Sequence, residues 1–145
     1  MKNESDVVNY VYKNAKMGLE STNTLLKSLE KKDNKITPVV IDILKSYEQF
    51  KKESEIMLEN YEEKKETYNL ASTLSADMGI KMQVLKDNSD SAIADMLIKG
   101  LTMGELEMAK LYDKIGENID QKTKDLINDF KDFQTNAIEK LKKFL

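Results

Sequence analysis

Apolar and small residues return along this chain at alternating spacings of three and four, the mark of an amphipathic helix. The first run is Val8, Val11, Ala15, Gly18, Thr22, Leu25 and Leu29, an unbroken stripe on one helical face. It predicts a helix from about Ser5, which can cap it, to about Lys31. The polar loop Lys32-Asp33-Asn34-Lys35 follows. Thr37 as N-cap and Pro38 at the first helical position then open a second helix. Its seam is Val40, Ile43, Tyr47, Phe50, Ser54, Met57 and Tyr61, and the polar stretch Glu62-Glu63-Lys64-Lys65-Glu66 carries it toward Asn69.

A third helix starts at Ser89 or Asp90, follows the seam Ala94, Leu97, Leu101, Gly104, Met108, Leu111, Ile115, and stops at Gly116. The fourth begins near Asn118, with Gln121 at capping-box distance. Thr123, Ile127, Phe130, Gln134, Ala137, Leu141 and Phe144 form its buried stripe. Four seams of similar length predict an all-α fold, a four-helix bundle.

The stretch from Leu70 to Asn88 is far longer than a tight helix–helix turn requires. A helix of about 25 residues is about 38 Å long, and about 11 extended residues span that distance. A long crossover between helices 2 and 3 is therefore the expected connection. Leu70, Leu74, Met78, Met82 and Leu85 are placed to pack it onto the bundle, and a partly exposed Met-rich crossover is also a candidate dimer contact. The alternative is a second helix that continues and bends near Gly79, giving an up-down-up-down bundle.

Helices 1 and 3 share a pattern, with Met17-Gly18 matching Met103-Gly104 and Val11, Ala15, Thr22 and Leu25 matching Leu97, Leu101, Met108 and Leu111. Helices 2 and 4 do the same: Phe50-Lys51 matches Phe130-Lys131, Ser54 matches Gln134, Met57 matches Ala137 and Glu59 matches Glu139. Both pairings in one order suggest two related hairpins about a pseudo-twofold axis. Glycine inside a helix costs about 1 kcal/mol relative to alanine. Its presence on both seams therefore predicts a close approach of helices 1 and 3 at Gly18 and Gly104.

At 145 residues the chain is one domain, residues 1–145, able to bury a core without disulfides or metal. Five Gly and one Pro are too few for a turn-rich β fold, and the absence of Cys removes disulfides. No apolar run approaches the ~18 residues of a membrane span, so a cytoplasmic protein with no membrane partner is expected. The net charge of −3 combines 26 acids with 23 bases, every base a lysine. Without Arg the chain lacks the planar fork that grips phosphates and guanines, which argues against nucleic acid. Without His it lacks the usual general base, nitrogen ligand and pH switch.

Two hairpins, a long crossover and a pseudo-twofold repeat resemble the ferritin-like superfamily, including rubrerythrin-type bacterial bundles, over nearly the whole chain. The segments Lys16-Met17-Gly18-Leu19-Glu20 and Leu101-Thr102-Met103-Gly104-Glu105 also resemble a small group of low-GC bacterial proteins of no assigned activity. Resemblance to the di-metal members implies a Glu from each of two helices and a Glu-x-x-His pair from each of the others. Here the matching positions hold Ser54 with Met57 and Gln134 with Ala137, and none of these is such a ligand. The nearest carboxylates are Glu20, Glu105 and Glu107; Glu20 falls on the outer face and the other two flank the interface, where solvation is the expected state.

No Gly-rich phosphate loop, nucleophile elbow or zinc spacing is present. No catalytic, cofactor or metal residue is therefore assigned, and an enzyme is not expected. The polar seam residues Thr22, Ser54 and Gln134 are expected to pair with one another or with buried water, or, in a sharper reading, to line a small-molecule pocket. The Met and Tyr residues mostly follow helical spacing and read as core. The expectation is a metal-free ferritin-like bundle acting as a structural, self-associating or partner-binding protein. A carboxylate-bound di-iron or di-manganese protein and a small-ligand carrier are the alternatives.

Overall fold

The computed structural model describes residues 4–61, 87–115 and 118–145. These form four helices: α1 (Glu4–Leu29), α2 (Thr37–Asn60), α3 (Asp90–Ile115) and α4 (Gln121–Lys142). Among the described residues there is no strand. The chain is an all-α four-helix bundle, as its four stripes predict.

Hydrogen bonds at the two ends fix the helix directions. The Tyr61 hydroxyl donates to Glu4 Oε2 at 3.0 Å, which sets the end of α2 beside the start of α1. The same hydroxyl lies 3.1 Å from Thr123 Oγ1, and the Asp120 amide donates to Glu4 Oε1, so α4 also starts at this end. At the other end Asn34 Nδ2 donates to Asp90 Oδ1 at 2.9 Å and to the Asn88 carbonyl at 2.8 Å, which sets the start of α3 beside the α1–α2 loop. Helices α1 and α4 thus run one way and α2 and α3 the other. The chain between α2 and α3 joins opposite ends of the bundle, a span of about 36 Å for a 24-residue helix. The up-down-up-down order is excluded. Leu70, Leu74, Gly79, Met78, Met82, Leu85, the extension of helix 2 toward Asn69 and the stop at Gly116 lie outside the described residues.

Burial follows the predicted seams closely. Val8, Val11, Ala15, Thr22, Leu25 and Leu29 are buried on α1, and on α4 so are Thr123, Ile127, Phe130, Gln134, Ala137 and Leu141. A second buried stripe is not part of the seams: Val7, Tyr12, Leu58, Ile93 and Leu126. Each helix of a four-cornered bundle touches two neighbours, so its apolar arc is wider than a single a/d line. Where α2 meets α4 the core is aromatic. Tyr47 meets Phe133 edge-on at 5.0 Å between centroids and Phe50 meets Phe130 at 5.1 Å, both near the favourable T-shaped geometry.

Three helix starts differ from the sequence expectation. Ile36, not Thr37, is the N-cap of α2, and it supplies no side-chain cap. Its place is taken by Asp90 of α3, whose carboxylate accepts from the backbone amides of Lys35 at 3.3 Å and Ile36 at 3.4 Å. Asp120, not Asn118, caps α4, its Oδ1 accepting from the Thr123 amide at 2.8 Å. Ser5 lies inside α1 and is buried instead of capping it. Ser89 does cap α3, its hydroxyl accepting from the Ala92 amide at 3.2 Å.

The hairpin repeat holds in helix order and direction but not residue by residue. Gly18 sits against Tyr47 and Gly104 against Gln134, whereas the sequence match pairs Gln134 with Ser54. If the glycines correspond, Tyr47 and Gln134 correspond too, and the α2–α4 match slips by about two turns at 3.6 residues per turn. A slip of one heptad preserves the stripe, which hides it from the hydrophobic pattern.

Candidate functional site

Helices α1 and α3 run antiparallel but do not close over one another along their middle. A groove of about 620 Å³ separates them, a volume within the range of small-molecule sites. Its α1 wall runs from Tyr10 to Leu25 and its α3 wall from Glu107 back to Met96, with Ile43 and Tyr47 of α2 forming part of the lining.

Three glycines line the groove, each in different surroundings. At Gly100 an added Cβ would meet nothing within 4 Å, because this glycine faces the open groove. At Gly104 a Cβ would lie 2.9 Å from Gln134 Nε2 and 3.3 Å from Asn14 Nδ2. At Gly18 it would overlap the Tyr47 ring. The expected close approach of α1 and α3 is thus corrected at Gly18. Gly18 makes room for a ring from α2 instead, while Gly104 faces an amide from α4 and also meets α1, with Asn14 beside it and the Tyr10 hydroxyl donating to its carbonyl at 3.3 Å.

The groove is polar at one end and apolar at the other. At the polar end the Tyr10 hydroxyl donates to Glu107 Oε2 at 2.9 Å and accepts from Asn14 Nδ2 at 3.3 Å. Burial, then the hydrogen bond to Glu107 and the charge of that carboxylate, hold the Tyr10 proton well above the usual tyrosine range; the bond from Asn14 opposes this. Lys13 completes that end. Leu25, Ile43, Met96 and Leu97 line the other. Met17 and Met103 stand at the rim, 36% and 64% exposed.

Tyr47 lies between these ends. It is only 9% accessible, and burial alone pushes its hydroxyl well above the usual range. That hydroxyl has no hydrogen-bond partner among the described residues, yet it is close enough to Tyr10 for the two to interact electrostatically. A desolvated hydroxyl facing a cavity with its hydrogen bonds unmade is costly in a packed core and useful in a binding site.

The polar seam residues do not pair with one another as expected. Thr22 Oγ1 donates to the Gly18 carbonyl at 2.5 Å, and Ser54 Oγ to the Phe50 carbonyl at 2.7 Å, each within its own helix. Gln134 is 1% exposed and its Oε1 has no partner among the described residues. Of the three, Thr22 alone lines the groove. Sequence reasoning missed Tyr10, Asn14 and Tyr47 as a group, because Tyr10 and Asn14 lie off the seam and Tyr47 reads as core.

The acids singled out from the sequence are dispersed. Glu107 accepts from Tyr10, Glu105 Oε1 accepts from Thr135 Oγ1 at 3.2 Å, and Glu20 lies further along α1, half-buried. Among the described residues no three acids converge in the manner of a metal site. The residues at the di-metal positions of the ferritin-like pattern, Ser54 and Met57 with Gln134 and Ala137, do not fit such a centre, since Ser54 is committed to its own helix and the rest offer at most one amide. Among the described residues no helix is long and apolar enough to cross a membrane. No family model, curated protein or solved structure matches the chain.

Proposed function

We propose that this protein is a non-catalytic binding protein built on a ferritin-like bundle without a di-metal centre, and that its α1–α3 groove carries a small, largely apolar molecule. The groove itself supports this reading most strongly: a 620 Å³ space with mostly apolar walls and a few polar groups gathered toward one end. A bundle selected only for stability closes such a space, because unfilled volume forfeits packing energy. The parallel course of α2 and α3 supports the ferritin-like part of the proposal.

A neutral, environment-sensitive dye such as N-phenyl-1-naphthylamine tests the proposal directly. Saturable fluorescence enhancement is expected with the unaltered chain. Gly100→Leu projects a side chain into open groove without a clash, so it is expected to abolish the enhancement while leaving helical circular dichroism unchanged. Equal enhancement in the variant, or none in the unaltered chain, refutes the proposal.

A second reading, self-association or a protein partner, is favoured by Met103 and by Leu106 (57% exposed) on α3. A concentration-dependent solution mass that Leu106→Lys and Met103→Lys together abolish would support it.

A further inference from the structure

The lining of the α1–α3 groove carries the chemistry of its occupant, provided that the groove is the binding site proposed above. From the arrangement of committed and uncommitted polar groups we infer that the groove takes a neutral, hydroxyl-bearing aliphatic molecule. Its hydroxyl sits between Tyr47 and Asn14, and its chain runs toward Leu25, Ile43, Met96 and Leu97.

Most polar groups at that end are already engaged. The single Tyr10 proton is shared between Glu107 and the Gly104 carbonyl, and its oxygen accepts from Asn14 Nδ2. The Thr22 hydroxyl is bonded to the Gly18 carbonyl. Beside the Ser21 hydroxyl, further along α1, and the second Asn14 N–H, two groups near Tyr47 remain unbonded among the described residues. One is the Tyr47 hydroxyl, able to donate or accept; the other is the Asn14 carboxamide oxygen, able only to accept. Both belong to the groove lining, and they lie near one another because Asn14 is one turn before Gly18, the glycine on which Tyr47 packs.

An occupant that uses both accepts the Tyr47 proton and donates to the Asn14 oxygen. An alcohol does both with a single atom and no charge. A carboxylate accepts from Tyr47 and from the second Asn14 N–H, but it leaves the Asn14 oxygen unmet and would stand close to the Glu107 charge. An ammonium donates to Asn14 and to the Tyr47 oxygen but leaves the Tyr47 proton unused, and either ion is desolvated between mostly apolar walls. Lys13 and Glu107 contribute one charge of each sign at this end, so no net field favours an ion. Beyond Tyr47 the path from Gly18 to Leu25 is about 10 Å at 1.5 Å per residue, which suits a medium-length chain.

The test is competition against bound N-phenyl-1-naphthylamine by three molecules of equal chain length: 1-decanol, decanoate and decylamine. Decanol is expected to displace the dye at a concentration about tenfold lower than either ion, the worth of one satisfied buried hydrogen bond. Tyr47→Phe removes only the uncommitted hydroxyl, so, with displacement referred to the variant's own dye affinity, it is expected to erase most of that preference. Asn14→Leu provides a second arm with the same expectation. Equal displacement by decanoate or decylamine, or an alcohol preference that survives in both variants, overturns the inference while the groove reading stands. Failure of the dye to bind at all overturns both.

Discussion

The hydroxyl-bearing edge of the Tyr47 ring fills the space where a side chain at Gly18 would begin. Tyr47 is held from its other side by Phe133, with ring centroids 5.0 Å apart, so it has little freedom to retreat. The glycine is therefore a socket for a residue on the neighbouring helix. Gly100 has the opposite surroundings, open groove with nothing in reach. The same substitution must then act with opposite sign at the two positions. Gly18→Ala is expected to destabilise the bundle by about 1–3 kcal/mol through overpacking, partly offset by helix propensity. Gly100→Ala is expected to stabilise it by about 0.5–1 kcal/mol, because alanine lowers the entropy cost of ordering that turn. Urea unfolding midpoints of the two variants decide the matter, and the same sign in both would contradict the packing described.

Asp90 ties the two hairpins together at the end where the α1–α2 loop lies. Its carboxylate accepts from the Asn34 side chain and from the backbone amides of Lys35 and Ile36, the last being the N-cap position of α2. One residue thereby begins its own helix and takes up orphan amides of another. Asp90→Ala is expected to cost about 1–3 kcal/mol, as for bonds to a charged acceptor. Amide hydrogen exchange should rise first at Ile36 and in the first turn of α2. Uniform protection across the variant would show that the tie carries little energy.

The stripes that name the fold were legible because helical periodicity survives any arrangement of the helices: Ala94, Leu101 and Met108 are buried whatever they face. Loop length pointed to the parallel course of α2 and α3, since a chain returning across the bundle needs more residues than a turn. Caps were less legible. The choice between Asn118 and Asp120, or Thr37 and Ile36, rests on local backbone angles, and at Ile36 on an acid 54 residues away. Of the groove only Thr22 was legible, as a polar residue on the seam. Tyr47 has the spacing of a core residue and is one, and nothing in the one-dimensional pattern tells that its hydroxyl faces unfilled space.

Among the described residues Gln134 is an amide buried to 1% exposure whose Oε1 has no partner. It sits under Gly104, close enough that a Cβ there would touch its Nε2. An unsatisfied buried carbonyl costs about 1–3 kcal/mol, and an apolar replacement of similar shape removes that cost. Gln134→Met is therefore expected to raise the unfolding free energy by about 1–2 kcal/mol. A loss of stability instead would reveal that the amide is hydrogen-bonded in solution.

Alkaline pH should loosen this bundle through its buried tyrosines. Tyr10 and Tyr47 both hold their protons well above the ordinary value of 10.0, the first mainly through burial and its bond to Glu107, the second through burial. In the unfolded chain each titrates near that ordinary value. Above it the unfolded state has lost protons that the folded state keeps, so unfolding releases protons and stability falls as pH rises. Below the ordinary value the contribution is fully present. The loss begins near pH 10 and continues until the folded-state value is passed. The slope of unfolding free energy against pH in this range is expected to be shallower in Tyr47→Phe, which has one such proton fewer. Spectroscopic titration of the folded chain should show Tyr10 and Tyr47 ionising only as helicity is lost. If Tyr47→Phe leaves the alkaline slope unchanged, the hydroxyl is reached by water in the folded state, and the groove is wetter at its centre than its walls imply.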